Sequence, residues 1–137
     1  MVLDHIGVVV PSLERGILHW REYFGYAQST GIVTNRSQKV RVVFLSKEGS
    51  LAVKLVEPTE PSSPVARFAQ KGGGLHHLCF RCQNLEFEIP FLRSKGARFL
   101  VPPEPGEAFN NKKIAFFLGP DNLNCELIDT TEKASLL

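Results

Sequence analysis

Two histidines, one carboxylate and one lysine are the residues of this chain whose types and spacing could do chemistry. A shift of 72 positions aligns His5 with His77, and the same shift aligns Lys54 with Glu126. The shift needs no gap, and it also aligns Leu3 with Leu75, Leu13 with Leu85, Glu14 with Glu86, Ile17 with Ile89, Arg21 with Arg93, Phe44 with Phe116, Leu51 with Leu123 and Leu55 with Leu127. Two imidazoles and a carboxylate form a set that binds catalytic divalent metals. The repeat therefore predicts one site formed by four side chains, of which Lys54 is the one that is not a typical metal ligand.

The first copy of the repeat has a clear order of predicted elements. Residues 2–10 form an apolar run rich in Val and Ile, which indicates a buried strand. A helix follows, with Ser12 as its N-cap and Gly25 as its end. After a weaker strand near 26–34, the segments 39–46 and 50–57 predict a hairpin.

The second copy repeats this order. Residues 75–81 predict a strand, and Asn84 caps the helix that comes next. Pro90 lies too deep in that helix for a first-turn proline, so we expect a kink or a late start there. Two further strands are predicted near 112–118 and 123–129.

Two such units predict an α+β fold of two tandem β-α-β-β-β modules, related by a pseudo-twofold, whose curved mixed sheet surrounds a cleft. We expect a single domain over 1–137, with helices outside the sheet. It comprises module one at about 1–57, a connector at 58–74, module two at about 75–129 and a C-terminal tail at 130–137, which carries no pattern. Strand alternation then directs the four candidate side chains toward the pseudo-axis.

The composition argues against several functions. The net charge is only +2 and the basic residues are scattered, so we expect no nucleic-acid partner. No stretch approaches the roughly 20 apolar residues that cross a bilayer, which argues against a membrane partner. The three cysteines lack a paired framework, which favours reduced thiols and a cytoplasmic location. Arg36, Lys39 and Arg41 near the cleft mouth either form a solvated strand edge or contact a phosphate or carboxylate.

Several fragments resemble the vicinal oxygen chelate superfamily, which includes glyoxalase I, bleomycin-resistance proteins and extradiol dioxygenases. They are DHIGVVVPSL, QKVRVVFL, VKLVEPTEPSSPVARF, GGGLHHLCF, KKIAFFL and CELID. The chain is most similar to the methylmalonyl-CoA epimerase and glyoxalase-like branch, from Leu3 to about Asp129. The resemblance implies a divalent metal, such as Co, Ni, Mn, Zn or Fe(II), held by His5, His77 and Glu126. His76 is expected to point the other way.

The resemblance also implies an activity. We expect an isomerase or lyase that acts on a carbonyl or CoA-thioester substrate through a metal-stabilised enolate, with Glu126 as base. One alternative is a metal-free small-molecule binding or drug-sequestering protein of the bleomycin-resistance type. Another is an Fe(II) extradiol-type dioxygenase that uses His5, His77 and Glu126. The strand at 39–45 lacks the second acid of the epimerases, which argues against two-base racemisation. A homodimer is expected on the resemblance.

Lys54 departs from the pattern, which has Glu or Gln at this position. An ammonium group has no lone pair to donate, and at about 4 Å each like charge costs on the order of 4 kcal/mol, so a divalent ion would face roughly twice that. Three outcomes are open. Lys54 swings away or loses its proton and a three-ligand metal survives, Lys54 replaces the metal and pairs with Glu126, or the pocket has lost its chemistry. We assign catalytic roles to Glu126 and Lys54.

Overall fold

The structure, a computed structural model, describes all residues from Met1 to Leu137. The strands are β1 (Val2–Val9), β2 (Ala27–Gln28), β3 (Val33–Asn35), β4 (Val40–Ser46), β5 (Ala52–Pro58), β6 (Gly74–Arg81), β7 (Arg98–Phe99), β8 (Glu104–Gly106), β9 (Lys112–Leu118) and β10 (Asn124–Ile128). The helices are α1 (Leu13–Phe24), α2 (Ala66–Gln70) and α3 (Leu85–Ser94), with 3-10 turns at Glu107–Phe109 and Pro120–Asn122. None of the helices is long and apolar enough to cross a bilayer.

The ten strands form one mixed sheet in the order β2-β4-β5-β1-β6-β10-β9-β7, with β3 beside β4 and β8 beside β9. In the first module β1 pairs in parallel with β5, and in the second β6 pairs in parallel with β10. The two modules join where β1 and β6 pair antiparallel. This arrangement confirms the predicted α+β fold of two β-α-β-β-β modules, and it sets the first and last strands of both modules side by side.

A carboxylate at the end of the last strand of each module, Glu57 within β5 and Asp129 just after β10, caps the helix of the same module. The backbone N–H of Leu13 donates to Glu57 at 2.7 Å, and that of Leu85 donates to Asp129 at 3.0 Å. Glu57 and Asp129 are related by the same shift of 72 positions as the site residues. An acceptor at a helix N-terminus satisfies one of the unpaired backbone donors of the first turn. The repeat therefore fixes both helices against the sheet in the same way.

The helix of the second module, α3, begins earlier than the position of Pro90 suggests. Asn84 accepts a hydrogen bond from the backbone of Glu86 at 2.8 Å, and α3 runs from Leu85 to Ser94 with Pro90 inside it. The expected late start is therefore wrong. Pro90 is exposed, so water can satisfy the carbonyl that loses its helical partner, while the two caps hold the first turn.

Apolar clusters under the helices determine which side chains turn toward the cleft. The cluster under α1 comprises Leu13, Val43, Leu45, Val53 and Leu55. The cluster under α3 comprises Cys82, Leu85, Ile89, Ala115, Phe117, Cys125 and Leu127. Lys54 and Glu126 each lie between two members of these clusters along a strand. Because side chains alternate along a strand, both point to the opposite, concave face.

The C-terminal tail is packed against both modules. Ser135 accepts a hydrogen bond from the backbone of Gly31 at 2.7 Å, and Ala134 donates to the carbonyl of Ala108 at 2.8 Å. Leu136 forms an isolated bridge with Thr30. These contacts bring Lys133, the residue just before them, toward the concave face.

We predict that Asp129→Ala lowers the free energy of unfolding by about 0.5 to 2 kcal/mol, because Leu85 loses the acceptor that caps α3. Urea denaturation followed by circular dichroism measures the change. Glu48→Ala, which removes an exposed carboxylate in a turn, is the matched control and should lie within about 0.5 kcal/mol of the parent. Equal effects of the two substitutions would contradict the capping role.

Candidate functional site

The four residues that the repeat singles out meet at one carboxylate oxygen. Oε1 of Glu126 accepts a hydrogen bond from Nζ of Lys54 at 2.8 Å. The same oxygen lies 3.1 Å from Nε2 of His5 and 3.2 Å from Nε2 of His77. Lys54 is only 5% exposed, and Glu126 and His5 are fully buried. The structure thus brings together every predicted site residue in one buried cluster.

The pairing of the four central strands positions this cluster, and Gly7 makes room for it. Gly7 of β1 lies opposite Lys54 of β5 on one side and opposite His77 of β6 on the other. A Cβ atom at residue 7 would lie 2.0 Å from Cε1 of His77. Only a residue without a side chain lets the His77 ring lie across β1.

Two β-bulges place a polar residue behind each histidine. The register between β1 and β6 shifts at Asp4, just before His5, and again at His76, just before His77. Asp4 accepts a hydrogen bond from Nδ1 of His5 at 2.8 Å, and Nδ1 of His76 lies 2.8 Å from Nδ1 of His77. The prediction that His76 points the other way is therefore wrong, because a bulge interrupts strand alternation and redirects the side chain.

The group behind His5 belongs to a larger charged network. Asp4 also accepts hydrogen bonds from Arg81 at 3.0 Å and from Lys133 at 3.5 Å. Burial alone would raise the pKa of Asp4, but the hydrogen bond from His5 and the charge of Lys133 outweigh it, and the pKa lies below its usual value. Sequence reasoning missed these residues. The shift of 72 positions aligns Asp4 with His76 and so marks their positions as equivalent, but not their orientation, whereas Arg81 and Lys133 carry no such signal.

Glu126 is ionised in this cluster. Burial alone would raise its pKa, but the charge of Lys54 and the hydrogen bond from His5 outweigh burial and hold the pKa of Glu126 well below its usual range. Its second oxygen, Oε2, is buried and has no hydrogen-bond partner. Glu126 therefore has one oxygen bound to the cluster and one oxygen free.

His77 is neutral, because burial lowers its pKa to about 4. Its Nε2 has no partner with hydrogen-bond geometry, although Oε1 of Glu126 is 3.2 Å away. An ionised carboxylate can only accept, so a proton on Nε2 avoids two facing lone pairs. His76 then donates from its Nδ1 to Nδ1 of His77, and Nε2 of His77 is a donor aimed at the site.

A small pocket of about 50 Å³ opens onto Lys54, His77 and Glu126. The remaining lining residues are Asn35, Gln38, Val40, Val42, Val56, Pro64, Val65, His76, Gly106, Ala108, Phe109, Ile114 and Phe116. Glu126 carries the one carboxylate in the whole lining. The pocket therefore combines one ionised carboxylate with an ammonium and imidazole donors, between walls that are largely apolar.

Two of the three basic residues predicted near the cleft mouth are occupied by ion pairs. Arg41 binds Glu57 at 2.7 Å and Glu14 at 3.0 Å, and Lys39 lies 3.2 Å from Glu60. Arg36 is exposed and its guanidinium makes no ion pair. The solvated-edge interpretation therefore fits Lys39 and Arg41, and Arg36 alone stays free.

His5, His77 and Glu126 offer three potential metal ligands whose atoms lie within 4.8 Å of one another. Ligands of zinc lie about 2.0 to 2.2 Å from the ion, so a metal bound by His5, His77 and either oxygen of Glu126 would lie close to the ammonium of Lys54, which is 2.8 Å from Oε1. The repulsion between the ammonium and a divalent ion, about 8 kcal/mol at 4 Å, disfavours both at once. With Lys54 protonated, the residues present do not fit a divalent metal.

Comparisons with known proteins agree with this architecture. A family profile described as the Glyoxalase/Bleomycin resistance protein/Dioxygenase superfamily matches residues 4–116. The uncharacterized protein YqjC of Bacillus subtilis is 35% identical over 131 residues, which cover 95% of this chain and 91% of that protein. The mitochondrial methylmalonyl-CoA epimerase of Mus musculus is 30% identical over 129 residues, which cover 93% of this chain and 70% of that protein.

Solved structures lead to the same family. A variant of the Streptomyces coelicolor methylmalonyl-CoA epimerase, in complex with 2-nitronate-propionyl-CoA, superposes with a TM-score of 0.78 at 27% identity, and the match covers 94% of this chain and 96% of that chain. The chain belongs to the glyoxalase/bleomycin resistance/dioxygenase superfamily. The resemblance to its epimerase and glyoxalase-like branch is confirmed, and the epimerases among its relatives are isomerases.

We predict that Gly7→Ala displaces the His77 ring and lowers the free energy of unfolding by about 1 to 3 kcal/mol, because the added methyl group overlaps the imidazole. Gly119→Ala is the matched control, since a Cβ there meets its nearest neighbours at 3.5 Å. Urea denaturation measures both variants. A Gly7→Ala protein as stable as Gly119→Ala would show that the ring does not lie over β1.

We further predict that stability falls as the pH falls from 6.5 to about 4 in metal-free buffer. The unfolded chain binds a proton at His77 near pH 6.5 and the folded chain only near pH 4, so the unfolded state binds more protons in this window. The free energy of unfolding falls by about 3 kcal/mol across this window. Urea denaturation across this window should give a shallower slope for His77→Gln, and an unchanged slope for His19→Gln, which alters an exposed helical histidine. Identical slopes for the parent and His77→Gln would contradict burial of a neutral His77.

Proposed function

We propose that this protein is an isomerase of the epimerase type that removes and returns a proton at the carbon next to the carbonyl of a CoA thioester. The observation that carries the proposal is Glu126, an ionised carboxylate with one free oxygen beside the ammonium of Lys54. The substrate class rests on the mouse epimerase named for methylmalonyl-CoA and on the Streptomyces epimerase bound to an acyl-CoA ligand.

The chemistry follows from the charges of the cluster. Oε2 of Glu126 accepts the proton from the substrate carbon, and the electron pair of the broken C–H bond moves onto the carbonyl oxygen. Lys54 and Nε2–H of His77 donate hydrogen bonds to the resulting enolate, as preorganised donors do in oxyanion sites. The low pKa of Glu126 makes it a weak base in isolation. The negative charge only moves from Glu126 to the substrate, however, so the compensating charge of Lys54 is retained throughout.

The pocket size limits which part of the substrate is held inside. About 50 Å³ accommodates only a few heavy atoms, so the acyl end enters and the CoA portion lies outside. Arg36, free of ion pairs at the mouth, is the residue we propose for a CoA phosphate. Asn35 and Gln38 supply amides that can orient the carboxylate of a malonyl-type acyl group.

Return of the proton cannot use a second carboxylate, because Glu126 is the one carboxylate in the lining. His76 also lines the pocket and is half-buried, so we propose that its Nε2 takes a proton from solvent and passes it to the substrate carbon, while Glu126 releases the proton it removed to solvent. This assignment predicts exchange of the substrate proton with solvent rather than transfer between two acids.

A second candidate is a metal-dependent enzyme built on His5, His77 and Glu126, of the enolate-stabilising or the Fe(II) dioxygenase kind. One observation favours it: Asp4 accepts from Nδ1 of His5, an arrangement that commonly orients metal-binding histidines. It requires Lys54 to leave Glu126. A metal-free binding or drug-sequestering protein and a homodimer both stay predictions from the resemblance.

We predict that the protein catalyses incorporation of deuterium from D₂O into carbon 2 of methylmalonyl-CoA, and that Glu126→Gln slows it by about 10² to 10⁴-fold, the usual contribution of a general base. Mass spectrometry of the recovered thioester measures exchange. Glu48→Gln, which changes an exposed carboxylate far from the pocket, should retain the parent rate. Absence of exchange with methylmalonyl-CoA, ethylmalonyl-CoA and propionyl-CoA would contradict the proposed function, and so would an unaffected Glu126→Gln protein.

A further inference from the structure

We propose that Lys54 replaces the metal ion of this site and is the catalytic cation that binds the oxygen of the substrate carbonyl. The inference deepens the proposed function and rests on it for the nature of the substrate. It also predicts a property that needs no substrate, namely that the parent protein binds no divalent metal at His5, His77 and Glu126.

The ammonium of Lys54 has a defined position in the fold. Nζ is 2.8 Å from Oε1 of Glu126, and it lies 5.4 Å from the ring centroid of Phe109 and 6.0 Å from that of Phe44. A nearby carboxylate and nearby aromatic rings both stabilise a cation. Lys54 comes from β5, one of the four central strands, so its backbone is held on both sides by neighbouring strands.

The hydrogen bonds of Lys54 indicate that it has a ligand to bind. An ammonium carries three donors, and only the bond to Glu126 occupies one of them. Lys54 is 5% exposed and lines the pocket, so its two other donors have little access to bulk water and are not used by the protein. A lysine that served only to neutralise Glu126 would not need to line a cavity. A carbonyl oxygen in the pocket would use the donors that the protein leaves unpaired.

Replacement of a metal by an ammonium also accounts for the asymmetry of the repeat. Equivalent positions carry a cation in module one and an anion in module two, so the cluster neutralises itself without a bound ion. In the reaction the C–H bond breaks, an O–H bond forms on Glu126, and the carbonyl oxygen gains the electron pair. Lys54 keeps its proton and donates a hydrogen bond, so no further reactant is needed.

Metal binding by the purified protein tests the proposal without any substrate. The parent, Lys54→Gln and Lys113→Gln are incubated with Mn²⁺, Co²⁺ or Zn²⁺, desalted and analysed by elemental mass spectrometry. Lys113 is exposed, so Lys113→Gln is the matched control. We expect no stoichiometric metal in the parent or the control. We expect about one equivalent in Lys54→Gln, lost again when His5→Ala is added. One equivalent in the parent that His5→Ala removes would overturn the proposal, whether or not Lys54→Gln folds.

The deuterium exchange assay tests the catalytic role of the ammonium. The parent should keep its full rate in the presence of a metal chelator, and Lys54→Ala should lose at least 100-fold and recover at least tenfold with methylammonium added to the buffer. Exchange by the parent only with added metal would overturn the role of Lys54 and leave the proposed function intact. A metal-free parent without exchange would refute the proposed function and the catalytic role, and would leave Lys54 as the cation that excludes metal.

Discussion

The buried ion pair between Lys54 and Glu126 is the interaction on which the arrangement of this site depends. It joins β5 to β10 across the two strands at the centre of the sheet, so it links the two modules at their junction. Removing one partner of a buried pair typically costs about 3 to 5 kcal/mol, because the other charge is left without compensation. The same contact keeps Glu126 ionised and places a positive charge next to the site where a metal would bind.

The second determinant of the site is the pair of bulges in the β1–β6 ladder. Each bulge adds one residue directly before a site histidine, and each places a polar group on its Nδ1 atom. The two supports differ chemically, since Asp4 is an anion and His76 is an imidazole. His5 thus lies between two carboxylates, whereas His77 is neutral and directs a donor at the pocket. One structural repeat has placed its two histidines in different surroundings.

The sequence predicts the site because its position follows from two simple periodicities. Strand alternation and the shift of 72 positions place Lys54 and Glu126 on the concave face, and the pairing of the first strands brings His5 to His77. The orientation of His76 could not be predicted, since a bulge depends on the register between two strands and leaves no mark in either. Lys133 could not be predicted because the tail has no periodicity and packs through backbone contacts. The early start of α3 depends on Asp129, a cap that follows β10, far along the chain from the helix.

Whether Glu126 binds the ammonium of Lys54 or a metal ion decides which cation this protein uses. Crystals soaked in Mn²⁺, Co²⁺ or Zn²⁺ and measured at the absorption edge of each metal would locate any bound ion directly. We predict no anomalous peak between His5, His77 and Glu126, and electron density for Nζ of Lys54 within hydrogen-bond distance of Oε1. An anomalous peak bound by the three residues, with Lys54 turned away from Glu126, would contradict it.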